Sequence, residues 1–173
     1  MKRLPNHLSA GEHNSVVTIS PTQVAKVFTP RSRTESGSEF ERLRFANAVN
    51  GLVVKAGTLD YNEDSEDIWL VMERLYPMDY RAYTNQQRKQ WLQMFKQQLD
   101  ELHQAGFVHR HIVRSNMFIG QPFDNVILTS TGLRLIDVAA ATLRKQVTDA
   151  IFNRCLVKEW KSVEAFEQFF LTR

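Results

Sequence analysis

The sequence has few of the residues that mark disulfide-rich or membrane-spanning proteins. Cys155 is its single cysteine, so no internal disulfide can form, and a reducing, cytosolic folding environment is expected. No stretch approaches the run of about 18 apolar residues that indicates a membrane span. The basic start, MKRLPNHLSAGEHNS, is not followed by an apolar segment. We therefore expect a chain without a membrane span.

Long runs of one charge are also missing. The formal net charge is +3, but lysine and arginine are spread along the chain, and five like charges never follow one another. Nucleic acid is therefore not an expected partner. With 43% hydrophobic and 24% charged residues, the composition is typical of a globular domain with one well-buried core.

The hydrophobic pattern of the first half predicts strands with one inserted helix. Two β-branched runs, VVTI and VAKVF, flank a Ser-Pro turn and predict a hairpin over residues 16–28. A polar stretch over residues 29–39 predicts a break, and EFERLRFANAV then has apolar residues at helical spacing. Two more strands are expected in LVVKAGTLDY and IWLVMERL.

The second half of the chain predicts helices around a second hairpin. Thr84 and Gln87 predict a capping box at the start of a long helix, and Gly106 predicts its end. The segment VILTSTGLRLIDVA predicts a hairpin that turns at TSTG. The last part of the chain predicts one or two amphipathic helices.

The run LHQAGFVHRHIVRSNMFI, residues 102–119, resembles the catalytic loop of protein kinases, L-H-x-x-G-I-V-H-R-D-[IL]-x-x-x-N. The two align without a gap from Leu102 through Asn116. The resemblance implies an α+β, kinase-like bilobal fold in one domain. Residues 1–75 would form a lobe with an antiparallel sheet and one helix, and residues 76–173 a reduced helical lobe.

The same resemblance implies ATP and Mg²⁺ as cofactors. Asp137 in LRLIDVA resembles the aspartate that binds magnesium at the phosphates, and Asn116 would be the second metal ligand. Asn125 is the alternative, because it lies twelve residues before Asp137, close to the usual spacing. We favour Asn116, which makes GQPFDNVIL an insertion.

Other matches lie before the catalytic-loop run. SAGEHNSV resembles the kinase glycine-rich loop, with Gly11 and Val16 kept and with Ser9 and Asn14 at positions of glycine. Lys26 follows in VAKVF.

A strand lysine that points the same way as Val24 would reach the phosphates of a bound nucleotide, although most strand lysines are only solvated. The resemblance pairs Lys26 with a helix glutamate, for which Glu41 fits best and Glu39 is the fallback.

The strand IWLVMERL resembles the approach to the kinase hinge. Met72 would lie at the gatekeeper position, and the backbones of Glu73 and Leu75 would meet the adenine edge. An internal strand that ends in a loop is the ordinary interpretation, and both can hold, because hinge contacts are made by the main chain.

Two departures concern catalysis. His111 replaces the aspartate that orients or accepts the proton of the attacking hydroxyl, and Val138-Ala139 replaces Phe-Gly after Asp137. An imidazole can accept a proton near neutral pH, but it is bulkier and differently aimed than a carboxylate. Asp124 is a candidate to replace the missing carboxylate. Arg110 is expected to lack an activation-loop phosphate as partner, because too few residues follow Asp137 to form that loop.

Three functions follow from this pattern. The favoured one is a pseudokinase that binds ATP and acts by docking on another protein. The second is an active, atypical phosphotransferase for hydroxyl, small-molecule or lipopolysaccharide acceptors, with His111, Asp124 or the substrate as base. The third is an interaction module without nucleotide, which the missing loop glycines favour. A cytoplasmic location is expected, and the resemblance to minimal kinases that bacteria deliver into host cells leaves secretion open.

Overall fold

A computed structural model describes residues 7–10, 14–113 and 123–172 of the chain. It has an α+β architecture, in which a five-stranded antiparallel sheet is followed by helices and two small two-stranded sheets. The strand order of the large sheet is β1-β2-β3-β5-β4. Its strands are β1 His7–Ala10, β2 Asn14–Thr18, β3 Gln23–Phe28, β4 Ala56–Asn62 and β5 Asp67–Glu73.

The predicted first hairpin is confirmed. Strands β2 and β3 pair antiparallel, and β3 pairs on its other side with β5, which makes β3 the central strand. Lys26 lies in the middle of β3, opposite Val16 on one side and Leu70 on the other. The main chain at Lys26 is therefore fixed by ladders on both sides.

Helix α1, Arg33–Val49, begins inside the polar stretch 29–39, for which the sequence predicted a break. Its buried side chains are Ser36, Glu39, Leu43 and Ala46, which follow the i, i+3, i+7, i+10 pattern of one helix face. A polar segment was mistaken for a loop because two members of the buried stripe are themselves polar.

Helix α2, Asn85–Ala105, has the predicted ends. The Thr84 hydroxyl accepts a hydrogen bond from the backbone N–H of Gln87, and the Gln87 side chain accepts one from the N–H of Thr84. Gly106 ends the helix with a φ of 98°, a left-handed conformation that glycine adopts without steric cost. Both ends were correctly predicted.

Among the elements described after α2, strands Phe107–Val108 and Gly132–Leu135 and helix Asp149–Thr172 pack against it. Strands β6 Phe107–Val108 and β9 Thr142–Leu143 form one small sheet, and β7 Val126–Thr129 and β8 Gly132–Leu135 form the predicted hairpin. Two short 3₁₀ helices cover Tyr80–Ala82 and Arg144–Gln146. A single helix, α3 Asp149–Thr172, forms the C-terminal segment.

One hydrophobic core joins the large sheet to the helices. It includes Phe28 and Leu70 of the sheet, Leu43 of α1, Leu99 of α2 and Phe166 of α3. No helix in the described parts of the chain is long and apolar enough to cross a bilayer.

Candidate functional site

Lys26 lies against two carboxylates that come from distant parts of the sequence. Its Nζ atom is 2.9 Å from both carboxylate oxygens of Glu39 and 3.3 Å from Oδ1 of Asp137. The exposed fractions of the three side chains are 12% for Lys26, 4% for Glu39 and 29% for Asp137. The two carboxylates thus hold a largely buried ammonium, and the aspartate is the member of the cluster most open to solvent.

The charges of this cluster depend on one another. Burial alone would lower the pKa of Lys26, but its attraction to Glu39 and then to Asp137 outweighs burial and raises that pKa above its ordinary value of 10.5. Burial raises the pKa of Glu39, and Lys26 opposes that effect. The ammonium is therefore the firmly charged member of the cluster.

Glu41 is not the partner of Lys26, so the favoured pairing is wrong and the fallback Glu39 is correct. The Glu41 carboxylate lies 2.5 Å from Nζ of Lys145 on the outside of the protein. Residues two positions apart in a helix point about 200° apart. Glu39 shares the buried face with Leu43, whereas Glu41 faces away from the sheet.

Asp137 reaches Lys26 because strand β8, which precedes it, is hydrogen-bonded to the segment between α1 and β4. The N–H of Val54 donates to the carbonyl of Leu135, and the N–H of Leu135 donates to the carbonyl of Leu52, both at 2.8 Å. This short parallel ladder brings the end of β8 beside the large sheet. Val138, where a phenylalanine was expected, is fully buried in the core.

The backbone at Asp137 is in a left-handed conformation, with a φ of 59°, and Arg110 has a φ of 71°. Among the described residues, Glu66 is the one other non-glycine residue with positive φ. Such backbones cost free energy and often occur at functional sites. Of these three residues, Arg110 and Asp137 lie in the segments that the sequence analysis identified as candidate functional motifs.

His111 is joined to the strand that leads to Asp137 by two bridges. Its N–H donates to Nδ1 of His109 at 3.3 Å, and Nε2 of the same ring lies 2.9 Å from the carbonyl oxygen of Ile136. The second bridge starts at the carbonyl of His111, which accepts a hydrogen bond from the side-chain amide of Asn125 at 2.8 Å. The backbone carbonyl of Asn125 in turn accepts one from the N–H of Ile136 at 3.0 Å.

The contacts of His109 fix its tautomer. Nδ1 accepts a hydrogen bond, so the proton of the neutral ring is on Nε2 and is donated to Ile136. Burial lowers the pKa of His109, although the charge of Glu159 acts in the opposite direction. The neutral ring serves as a rigid spacer between the loop at His111 and the strand end at Asp137.

Glu159 of α3 supports the same loop from behind. Its carboxylate accepts hydrogen bonds from Nε2 of His103 at 2.8 Å, from the N–H of His109 at 3.1 Å and from the N–H of Arg110. The Glu159 side chain is fully buried. The guanidinium of Arg110 donates to the carbonyl of Ala140 and to the hydroxyl of Thr142.

The two candidate metal-side asparagines differ in what the structure describes. Asn116 lies outside the described residues. Asn125 is fully buried and bonded to His111, as given above. Asp124 precedes it at an exposed position. A substitute role for Asp124 stays a prediction.

The remaining predicted residues flank the cluster, except Gly11, which lies outside the described residues. Val16 faces Lys26 across the β2–β3 ladder, and Val24 is buried on β3 opposite Met72 of β5. Glu73 ends β5, where its N–H donates to the carbonyl of Lys55 at 3.0 Å and its carboxylate binds Arg134. Leu75 follows, packed against the core.

No role was predicted for His109 or Glu159 from the sequence. His109 stands in the HRH frame that aligned with the catalytic loop, so its position was visible but not its function as a spacer. Glu159 is a single carboxylate within an apolar helix pattern, between Leu156 and Trp160. A charged residue at a core-facing helix position was the available signal.

Within the described residues, no cluster of three or more histidine, cysteine, aspartate or glutamate side chains could hold a metal ion. Comparison with models of protein families and with curated proteins finds no match.

Proposed function

We propose that this protein is a kinase-like, nucleotide-binding domain in which ATP binds between Lys26 and Asp137. One observation carries the proposal: an ammonium and a carboxylate 111 residues apart in sequence lie 3.3 Å apart beside the central strand of the large sheet. An ammonium next to an acidic group can hold a phosphate and the cation that accompanies it. Glu39, which also binds the ammonium of Lys26, supports the same assignment.

Asp137 is the residue we assign to Mg²⁺, with Asn116 as the favoured second ligand and Asn125 as its alternative. Carboxylate and amide oxygens are ligands that Mg²⁺ prefers, and the carbonyl of Asn125 accepts a hydrogen bond from the N–H of Ile136, the residue before Asp137. Magnesium is commonly held by one or two protein oxygens together with phosphates and water. A site without three clustered carboxylates or histidines is compatible with this ion. Bound there, Mg²⁺ would neutralise phosphate charge.

Adenine would lie beside the end of β5. The N–H of Glu73 is already bonded to Lys55, so Glu73 contributes through its carbonyl and Leu75 through its N–H. With His111 in place of a carboxylate, transfer to a hydroxyl acceptor lacks its usual base. We therefore propose that the domain is a pseudokinase toward hydroxyl acceptors, which acts through its nucleotide-bound state on a protein partner.

A purely structural charge cluster is the alternative, and one observation favours it. Lys26 already contacts two carboxylates, so its charge is compensated without any phosphate. In that case the domain would be an interaction module that binds no nucleotide.

A thermal-shift titration with ATP and Mg²⁺ separates the two. Ligand that binds only the folded state raises stability by about 2.7 kcal/mol at a hundredfold excess over Kd, so the melting temperature should rise with ATP. Lys26→Met should weaken ATP binding by about tenfold or more, because a charged contact to phosphate is lost.

Lys145→Met is the matched control, because Lys145 is an exposed lysine that pairs with Glu41. It should bind ATP as the wild type does. An unchanged melting temperature of the wild type at millimolar ATP would reject nucleotide binding and favour the interaction module.

A further inference from the structure

His111 combines a fixed backbone with an exposed side chain. Its N–H and its carbonyl are both bridged to Ile136, through the ring of His109 and through Asn125. Its hydrogen bonds to described residues all come from the backbone, and the residue is exposed. The chain therefore fixes the backbone of this residue and leaves its imidazole open to solvent.

The backbone of His111 is close to the proposed nucleotide site. The backbone nitrogen of His111 lies 3.3 Å from Nδ1 of His109. The carbonyl oxygen of Ile136 lies 2.9 Å from Nε2 of the same ring. Asp137 follows Ile136 directly and contacts Lys26. The backbone of His111 is thus separated by one imidazole ring from the residue that precedes Asp137, the carboxylate that would hold a phosphate together with Lys26.

A histidine differs from the expected aspartate in the chemistry it can do there. A hydroxyl acceptor needs a base to take its proton, and this site has lost the carboxylate. A neutral imidazole has a lone pair on one nitrogen and can itself act as a nucleophile, as histidine does in covalent catalysis. The change that removes the base thus places a nucleophile at the same position.

We propose that His111 is itself a phosphoryl acceptor, so that the protein forms a phosphohistidine from ATP. This inference rests on the proposed nucleotide site. The unprotonated ring nitrogen would attack the γ-phosphorus, and a P–N bond forms as the bond from that phosphorus to the β,γ-bridging oxygen breaks. ADP leaves with the electron pair of the broken bond, and the proton of the second ring nitrogen passes to water.

The test incubates the complete chain with ATP labelled in its γ-phosphate and with Mg²⁺. Phosphohistidine is stable in alkali and hydrolyses in acid, whereas phosphoserine and phosphothreonine survive acid. The expected result is an alkali-stable, acid-labile label that mass spectrometry, without acid treatment, maps to the peptide containing His111. His111→Gln and Asp137→Asn should both lose it.

Three controls keep the outcome decisive. The melting temperature of His111→Gln without nucleotide shows that the variant folds, which the backbone origin of the His111 contacts leads us to expect. His111→Asp, which restores a carboxylate, should carry no acid-labile label. The ATP-induced thermal shift of the wild type reports the proposed nucleotide site independently.

The outcomes separate the two proposals. A thermal shift without an acid-labile label overturns the acceptor role and leaves nucleotide binding intact. A label that remains in His111→Gln, or that maps to another residue, also overturns it. Without a thermal shift, both proposals fail together.

Discussion

Lys26 and Glu39 are buried together although each would be costly to bury alone. A buried ion pair by itself can add little net stability. Removing one of its partners is strongly destabilising, because the remaining buried charge is then uncompensated. If Glu39 loses its charge, Lys26 still contacts the carboxylate of Asp137, which lies farther from its ammonium than Glu39 does. The side chain of Glu39 is the more deeply buried of the two carboxylates.

Glu39→Gln should therefore lower the free energy of unfolding by about 2–4 kcal/mol, since it leaves a buried ammonium with a weaker partner. Chemical denaturation measures the difference. Glu41→Gln is the matched control on the same helix. It should leave stability almost unchanged, because its ion pair with Lys145 is exposed. Equal effects of the two substitutions would contradict the assignment of Glu39 to the buried pair.

His109 gives the protein a predictable response to acid. Burial lowers its pKa below the ordinary value of 6.5, so the unfolded chain takes up a proton at a higher pH than the folded chain does. The free energy of unfolding should then rise with pH up to about 6.5, and His109 should add no further slope above that. Denaturation at several pH values between about 5 and 8 measures this.

His109→Gln is the comparison, because an amide can still accept from His111 and donate to Ile136 but does not titrate in this range. The variant should show a smaller slope below pH 6.5. Identical slopes would mean that His109 is not the group that titrates.

At the scale of elements, the sequence predicted those structures whose signals are local. The capping residues of α2 and the turn of the β7–β8 hairpin are set by neighbouring residues, and both were predicted. The start of α1 was missed, because Ser36 and Glu39 are buried by tertiary contacts that local composition does not reveal.

The choice between Glu39 and Glu41 shows the same limit and a way past it. The apolar residues at helical spacing in EFERLRFANAV are Phe40, Leu43, Ala46 and Val49. Glu39 lies four residues before Leu43 and shares its buried face. Continuing the helical phase backwards would have selected Glu39. Glu159 could not be placed in this way, since its three partners come from two other segments.

Helix α3 is linked to the His111 loop through Glu159, which accepts two backbone N–H groups and one imidazole. Glu159→Gln replaces one acceptor oxygen by an NH₂ group that would face these donors. We expect a loss of about 3 kcal/mol of stability, the range for breaking a buried charged network. Glu164→Gln, an exposed position on the same helix, should have almost no effect. Thermal and chemical denaturation of the two variants measure this difference in stability. Similar stabilities of the two variants would contradict this role of Glu159.

At the scale of the molecule, the core described above continues from the sheet into the helices. The ladder of Leu52 and Val54 with Leu135 adds hydrogen bonds between the two regions. The two lobes implied by the resemblance stay a prediction, and burial joins residues of both predicted parts in one cluster. Such sharing predicts that the sheet and the helices unfold together.

The three tryptophans make this testable, because they lie in different elements: Trp69 in β5, Trp91 in α2 and Trp160 in α3. Variants that retain one tryptophan each, with phenylalanine at the other two positions, report on unfolding of each element by fluorescence. Each fluorescence transition should coincide with the loss of circular dichroism of the same variant, since one core links all three sites. A Trp69 signal that is lost at a clearly different denaturant concentration from the helical signal would show that the sheet unfolds as a separate unit. In that case the shared core would contribute too little to couple the two regions, and Lys26 could lose Asp137 without global unfolding.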